Sequence, residues 1–439
     1  MSAPDPLPDL LIALPVVIVA CRVGAALARR AGQPPVVGEI ATGILLGPSV
    51  LGLLWPAAQT WLIPPAAIPY TGQLGQLGLL VFMFLIGLEL DLGLLRGQGR
   101  TAAAVSQTAM LLPLAAGATL GLGMYGTLAP QGVRETPFVL FIAVAMSVTA
   151  LPVLARILTD HGLHRTRLGA LAMACAAVDD VLAWCLLAVV VALSHSASPW
   201  DALTTAAFTL CFLLVMVYVV RPVLTRWAAG GEGEAESSDR SARTLTVLFC
   251  GLCLAALATD RIGVHALVGA FVFGAVSPRG SREITRSATR LHRITAPLLL
   301  PLFFAQTGLR TDIGALGADP AHWWWAVALF ATAVATKWGG SALAARLCGG
   351  SWPEALRLGA LMNCRGLTEL VILNVGLDLG VIGRDIFTML VLMALATTAL
   401  TSPALSRLGR GPAPQPVRLS QGPPSSSYST EPTKGTRTG

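Results

Sequence analysis

The stretch LGALAMACAAVDDVLAWCLLAVVVALSH, residues 168–195, places two adjacent carboxylates in the middle of a long apolar run. A helix of about 20 apolar residues crosses the hydrocarbon core of a bilayer, so this run is long enough to span a membrane. Apolar residues extend for more than two turns on both sides of Asp179 and Asp180, which disfavours a position at a helix end. Ionisable side chains at this depth are expensive to bury and therefore indicate a functional site. Because adjacent helix positions point about 100° apart, the two carboxylates are expected to face different partners.

The composition of the whole chain agrees with a membrane protein. Of its 439 residues, 54% are hydrophobic and 12% are charged, against roughly 25% charged in a typical soluble domain. This balance excludes a soluble globular protein and an intrinsically disordered one. The arginines lie in short gaps between apolar runs and do not gather on one solvated face, so the net charge of +7 does not indicate nucleic-acid binding.

Apolar runs recur along the chain and predict an all-α polytopic membrane protein with about 13 transmembrane helices. The predicted spans are 9–28, 35–54, 73–94, 101–124, 138–157, 168–193, 200–220, 244–259, 262–277, 296–311, 322–346, 354–377 and 385–405.

Arginines cluster in alternate connections between these spans, as the positive-inside rule requires of cytoplasmic loops. The richer connections are 29–30, 96–100, 165–167, 221–243, 279–293, 346–357 and 407–410. The others contain one arginine each at most, namely Arg134, Arg261, Arg310 and Arg384. The asymmetry predicts a multi-pass protein of the cytoplasmic (plasma) membrane with its N-terminus outside and its C-terminus inside.

Two polar segments divide the chain. A cytoplasmic polar loop is predicted at 230–243, and the Pro/Ser/Gly-rich segment 409–439 is predicted to be a disordered cytoplasmic tail. Six spans on either side of a connecting helix suit two inverted-topology repeats. The transmembrane domain, 1–408, is therefore predicted to contain repeat one at about 9–193, a linker helix at 200–220, and repeat two at about 244–408.

The fifth span, PFVLFIAVAMSVTALPVLARIL, is interrupted near its centre by Ser147, Thr149 and Pro152. Proline lacks a backbone donor and frees a carbonyl, so the helix is predicted to be discontinuous there. Irregular backbone at membrane depth is tolerated where it lines a cavity. A simple proline kink is the alternative interpretation.

The twelfth span, PEALRLGALMNCRGLTELVILNVGLDLG, carries Asn363, Arg365, Gly366, Thr368 and Glu369 near its middle and is a second candidate for a broken helix. Arg365 and Glu369 stand four residues apart, so an ion pair within one helix is an alternative reason for their presence.

The eleventh span contains Lys337, which is one of only two lysines in the chain. A lysine that snorkels to the interface is the alternative interpretation. Counting from the inner end of each span at 1.5 Å per residue places Lys337, Asp179, Thr149 and Asn363 at depths of roughly 12–17 Å. Polar groups that converge on one depth favour an ion site over a set of unrelated structural residues.

Seven stretches carry a family resemblance: GEIATGILLGPSVLG (38–52), FLIGLELDL (84–92), AMSVTALPVLARIL (145–158), AAVDDVLAW (176–184), PLFFAQTGLRTDI (301–313), ATKWGGS (335–341) and MNCRGLTELVILNVGLDLGVI (362–382). By these stretches the chain, over about residues 10–408, resembles the monovalent cation:proton antiporter-2 family. That family includes bacterial Na⁺(K⁺)/H⁺ antiporters and plant cation/H⁺ exchangers. The plant exchangers commonly have Asn-Asp where this chain has Asp179-Asp180.

The resemblance implies a homodimeric antiporter, not an enzyme, that needs no cofactor and serves pH homeostasis by an elevator-type mechanism. It further implies that Asp180 binds a monovalent metal cation, Na⁺ or K⁺, and protons alternately. Asp179 would pair with Lys337. The remaining implied site residues line the crossing of the two broken helices, namely Ser147, Thr149, Asn363 and Arg365.

Other classes of function stay open at this point. A proton-independent potassium efflux channel or uniporter would use the same site. An intramembrane aspartyl protease is disfavoured, because its two carboxylates must face one water and adjacent positions on one helix do not. A non-transporting sensor would leave the central charges without a purpose.

Overall fold

A computed structural model describes residues 7–89, 99–163, 166–195, 199–229, 238–278, 281–317 and 319–408. Every regular element in these ranges is helical. The α-helices are α1 Leu7–Arg30, α2 Pro35–Leu46, α3 Leu51–Leu54, α4 Pro56–Leu62, α5 Ile68–Glu89, α6 Gly99–Leu128, α7 Glu135–Ser147, α8 Leu151–Asp160, α9 Arg167–His195, α10 Pro199–Val215, α11 Arg221–Ala229, α12 Ser238–Ile262, α13 Ala266–Val276, α14 Arg282–Ile294, α15 Leu300–Arg310, α16 Pro320–Ala333, α17 Gly340–Leu347, α18 Trp352–Met362, α19 Leu367–Asp378 and α20 Arg384–Arg407. Short π-helical segments join three pairs of these helices, at Met216–Val220, Thr295–Leu299 and Val334–Gly339.

Ten of the described helical segments are long and apolar enough to cross a membrane, which confirms the predicted all-helical membrane architecture. The predicted spans outside this set are the fifth, ninth and tenth. The fifth is divided between α7 and α8, whereas α13 and α15 have only 11 residues each. The total of thirteen crossings therefore stays a prediction.

Two predicted boundaries differ from the structure. The polar loop predicted at 230–243 ends earlier, because α12 begins at Ser238. Serine favours a helix start, and the arginines and alanine that follow are good helix formers although they are not apolar. The linker helix does not end at 220, because α11 follows the π-helical segment directly and extends to Ala229. The remainder of the loop, 230–237, and the predicted tail, 409–439, lie outside the described residues.

The helix contacts of the first half of the chain recur in the second half. Helix α1 packs on α2 as α12 packs on α13, and α6 packs on α7 as α17 packs on α18. Between the halves, α2 packs on α15 as α13 packs on α5. This reciprocal pattern is what two structural repeats related by a pseudo-two-fold axis produce. The inverted orientation of the repeats stays a prediction.

Glycines allow close contacts between the halves where α2 packs on α15 and where α5 packs on α13. A Cβ atom on Gly43 of α2 would lie 2.9 Å from the Cα of Gly308 on α15, and one on Gly308 would lie 2.6 Å from the Cα of Gly43. In the same way, a Cβ on Gly87 of α5 or on Gly274 of α13 would overlap the backbone of the facing helix. Small residues let membrane helices approach with their backbones nearly touching.

Most of the helices fall into two groups that each pack mainly within themselves. We call α1, α2, α5 and α12–α15 the scaffold group, and α6–α9 with α16–α20 the site group. Contacts between the groups are fewer and include the packing of α2 on α20. Both interrupted helices belong to the site group.

Candidate functional site

Two interrupted helices cross inside the site group. Helix α7 ends at Ser147 and α8 starts at Leu151, with Val148 and Ala150 in extended conformations between them. Helix α18 ends at Met362 and α19 starts at Leu367. The N–H of Ala150 donates to the carbonyl of Cys364 over 3.2 Å, so the two breaks touch. The simple-kink alternative is therefore wrong, because the backbone between α7 and α8 leaves the helical conformation altogether.

The non-helical segment between α18 and α19 is held by a neighbouring helix. Thr398 of α20 accepts a hydrogen bond from the Arg365 N–H at 3.0 Å and donates one to the Arg365 carbonyl at 2.6 Å. A Cβ atom on Gly366 would lie 2.5 Å from Cγ2 of Val153 on α8, so the crossing needs a glycine there. These contacts satisfy the backbone that the break exposes in an apolar environment.

Two cationic side chains cap the end of α7. Arg365 donates from Nη1 to the Ala145 carbonyl over 2.9 Å and from Nη2 to the Met146 carbonyl. Lys337 donates to the Ser147 carbonyl and, over 3.1 Å, to the Ala109 carbonyl of α6. The last carbonyls of a helix lack internal partners and carry a partial negative charge. The positive side chains thus stabilise a helix end at membrane depth.

Glu369 forms the ion pair that its spacing suggested. Its Oε1 atom lies 2.9 Å from Nη1 of Arg365, and both side chains are fully buried. The charge of Glu369 is therefore compensated inside the protein, which makes this carboxylate a poor candidate for a transported cation.

Asp179 is surrounded by donors from two helical elements and one break. Ser106 of α6 donates to Oδ1 over 3.2 Å, and Thr149 donates to Oδ2 over 2.7 Å. The Nζ atom of Lys337 lies 3.7 Å from the same Oδ2. This carboxylate is buried, but its charge and its lone pairs are satisfied.

Asp180 has a different environment from its neighbour. It is only 3% exposed, and neither carboxylate oxygen makes a hydrogen bond of ordinary geometry with any residue that the structure describes. The Thr368 hydroxyl and the Leu151 backbone N–H face it. The two adjacent carboxylates thus point to different partners, and Asp180 alone is left to bind something else.

The remaining sequence-predicted residues also lie at the crossing. The Ser147 hydroxyl donates to the Val144 carbonyl over 2.9 Å within its own helix, so this residue contributes its carbonyl to the site. Asn363 is fully buried at the end of α18, and both polar atoms of its amide lack a partner among the described residues.

Sequence reasoning did not identify Ser106 and Thr398 as site residues. Ser106 lies in α6 and Thr398 in α20. The sequences of both helices are ordinary apolar spans with scattered hydroxyl groups. Nothing in the local pattern distinguishes them from hydroxyl groups that bond to their own helix.

Membrane helices that break and cross beside buried carboxylates are typical of secondary transporters, in which helix ends and free backbone groups bind ions. Residues 16–410 match the family described as sodium/hydrogen exchanger, transmembrane. The chain belongs to the sodium/hydrogen exchanger family.

Several similar proteins are cation/proton antiporters by name. The Na⁺/H⁺ antiporter NhaS4 of Synechocystis is 40% identical over 399 residues, which cover 91% of this chain and 96% of that protein. Cation/H⁺ antiporter 17 of Arabidopsis thaliana is 37% identical over 90% of this chain and 48% of its own length. The K⁺/H⁺ antiporter 1 of Saccharomyces cerevisiae is 34% identical over 84% of this chain and 43% of its own length. The chain thus spans about half of the plant and yeast relatives or less. These relatives are transporters and not enzymes.

The fold matches that of a solved antiporter. The structure of the sodium proton antiporter MjNhaP1 from Methanocaldococcus jannaschii at pH 8 superposes with a TM-score of 0.57 at 16% identity, and covers 92% of this chain and 100% of that one. At this identity the likeness shows a shared fold.

Proposed function

We propose that the chain is a secondary active antiporter that exchanges a monovalent cation, Na⁺ or K⁺, for protons. The observation that carries this function is the contrast between the buried charges at the crossing. Asp179 faces Lys337, and Glu369 faces Arg365, whereas Asp180 has no cationic partner among the described residues. The names of the similar proteins support the same function.

Competition for one carboxylate provides the coupling. A buried carboxylate without a partner is strongly unfavourable in an apolar environment, so Asp180 must hold either a proton or a cation. Binding of the cation therefore expels the proton. If only the loaded site crosses the membrane, downhill movement of one ion drives the other uphill.

The neighbouring residues prepare Asp180 for this exchange. Lys337 compensates the charge of Asp179, which leaves a single carboxylate to be neutralised by the transported ion. Ser147, Thr149, Asn363 and Arg365 line the crossing and hold the two breaks together. No cofactor is needed for this chemistry, because the exchange makes and breaks no covalent bond other than that of the proton.

The two helix groups suit an elevator mechanism. In this proposal the site group carries the crossing and the loaded Asp180 from one side of the membrane to the other. The scaffold group, whose halves interlock through Gly43 with Gly308 and through Gly87 with Gly274, stays in place and forms a homodimer. The location is the cytoplasmic membrane, with the N-terminus outside, and the physiological role is pH homeostasis.

Everted membrane vesicles from a bacterial host without its own antiporters test the function. Addition of Na⁺, K⁺ or Li⁺ is expected to collapse a preformed pH gradient in vesicles that contain the wild-type chain. Asp180→Asn is expected to abolish this response at equal protein levels. Asp385→Asn, at the start of α20 and away from the crossing, is the matched control and should retain activity. Activity like that of the wild type in Asp180→Asn would exclude the assignment.

The alternative of a potassium channel or uniporter is tested in proteoliposomes. An antiporter moves K⁺ only in exchange for protons. When the pH starts equal on both sides, a K⁺ gradient should therefore drive protons in the opposite direction. A K⁺ flux that generates no counter-movement of protons would establish the channel instead.

A further inference from the structure

Thr368 occupies an unusual position among the threonines of the described chain. It is 1% exposed, and its hydroxyl is the only buried threonine hydroxyl without a hydrogen-bond partner among the described residues. Several other buried threonines donate to a carbonyl of their own helix. Thr397 of α20, for example, donates to the Met393 carbonyl over 2.9 Å.

The break before α19 explains why Thr368 has no such partner. A threonine in a helix usually bonds back to the carbonyl four residues earlier. For Thr368 that carbonyl belongs to Cys364, which lies in the break and accepts the N–H of Ala150 instead. Helix α19 begins at Leu367, so no earlier turn of its own is available. The crossing of the two helices thus leaves this hydroxyl unpaired.

The unpaired hydroxyl faces the unpaired carboxylate. Thr368 lies against Asp180, whose two oxygens have no ordinary hydrogen bond within the described part of the chain. The backbone N–H of Leu151, at the start of α8, lies on the same side. Asp180 is carried by α9 and Thr368 by α19, so the two oxygen-bearing groups come from separate helices.

A neutral hydroxyl oxygen beside a carboxylate can form part of the ligand set of a monovalent cation. Hard cations bind carboxylate, carbonyl and hydroxyl oxygens, and their selectivity depends on the number of oxygens and on the size of the cavity. A threonine hydroxyl can accept a cation through its lone pairs while keeping its proton.

We propose that Thr368 determines cation specificity, with its hydroxyl oxygen and the Asp180 carboxylate binding the same dehydrated monovalent cation. When a proton replaces the cation, the hydroxyl accepts the hydrogen bond of the protonated carboxyl group. This inference rests on the proposed antiport function and adds a ligand that comes from the second broken helix.

Cation titrations in proteoliposomes test the role of the hydroxyl. Initial rates of proton-coupled exchange are measured with the purified full chain over a range of Na⁺, K⁺ and Li⁺ concentrations. Thr368→Val keeps the shape and removes the oxygen, so the KM for the cation is expected to rise about tenfold, the effect expected for a lost contact to a charged group. The ratio of the KM values for Na⁺ and K⁺ should change, because the lost oxygen serves the two ions unequally. Thr368→Ser keeps the oxygen and should retain the KM of the wild type within about twofold.

A matched variant separates this role from a structural one. Thr397→Val removes a hydroxyl that is equally buried but bonded within its own helix, and it should leave the KM and the ion ratio unchanged. If Thr368→Val yields no folded protein, Thr368→Ala removes the same oxygen with less bulk and is measured in its place.

The outcomes distinguish this inference from the proposed function. A wild-type KM and ion ratio in Thr368→Val would overturn the role of Thr368 while leaving antiport intact. Equal changes in Thr368→Val and Thr397→Val would overturn it too, since they would reflect general packing. Absence of proton-coupled cation flux in the wild-type chain would instead contradict the antiport function itself.

Discussion

The Nζ atom of Lys337 lies 3.7 Å from Oδ2 of Asp179, yet Lys337 donates its hydrogen bonds to the backbone carbonyls of Ala109 and Ser147. One buried ammonium group therefore compensates a carboxylate and also caps the broken end of α7. A snorkelling lysine is excluded, because the side chain is fully buried between α6, α7 and α9.

The first prediction concerns the charge of Lys337. Lys337→Gln removes the cation from a fully buried carboxylate and from the end of α7. Breaking a buried pair in this way is expected to lower the free energy of unfolding by about 3–5 kcal/mol and to impair exchange. Thermal unfolding in detergent and coupled exchange as a function of pH measure the two effects.

Lys337→Arg separates charge from geometry in the same experiments. The planar guanidinium keeps the charge but cannot reproduce a compact ammonium in a closed pocket, so exchange should fall while stability falls less than in Lys337→Gln. Full coupled exchange with unchanged pH dependence in both variants would reduce the lysine to a replaceable charge.

The second prediction concerns the electrical balance of transport. Asp179, Asp180 and Lys337 together provide two carboxylates and one amine, so the number of protons released can exceed the number of cations bound. Na⁺/H⁺ exchange in proteoliposomes is therefore expected to respond to an imposed membrane potential. Asp179→Asn, which leaves one carboxylate as in the plant-type pattern, should reduce that response. Exchange by the wild-type chain that ignores the potential would contradict the prediction.

The third prediction separates the carboxylates of α9 and α19. Glu369 pairs with Arg365 at 2.9 Å, so its charge serves the crossing and not the transported ion. Glu369→Gln can still accept a hydrogen bond from Arg365 and is expected to lower stability while the cation KM stays within about twofold of the wild type. A loss of cation affinity comparable with that of Asp180→Asn would show that Glu369 binds the ion.

The depth of polar residues could be predicted from the sequence. Residues in apolar runs are constrained by helix rise and bilayer thickness, so counting along each span placed Asp179, Thr149 and Lys337 at one level. The structure brings these three side chains into contact. The two breaks were also predictable, because Pro152 and Gly366 disfavour a continuous helix.

The partners of these residues could not be predicted in the same way. Backbone carbonyls carry no sequence signal, so the capping of α7 by Lys337 and Arg365 depends on how the helices cross. The rotation of each helix about its own axis could not be predicted from the sequence either. It decides that the Ser147 hydroxyl turns back to its own helix while Ser106, on a distant helix, reaches Asp179.

The last prediction concerns a polar contact between the two helix groups. Arg310 at the end of α15 pairs with Asp378 at the end of α19 over 2.7 Å and donates to Asn374 over 3.2 Å. The Asn374 amide in turn donates to Thr307 of α15 over 2.8 Å. Helix α15 belongs to the scaffold group and α19 to the site group, so the movement that we propose for the site group would break this contact.

Arg310→Ala is therefore expected to change the rate of exchange more than the cation KM. The pair is partly exposed, so its loss should alter the free energy of unfolding by less than about 1 kcal/mol. The double variant Arg310→Asp with Asp378→Arg restores an ion pair and should move the rate back towards that of the wild type. Arg384→Ala removes an exposed arginine of the adjacent helix and is the control. A contact that links the two groups should affect the rate of their relative movement. An unchanged rate in Arg310→Ala would therefore mean that α15 and α19 do not separate during transport. A rate that the charge reversal does not recover would mean the same.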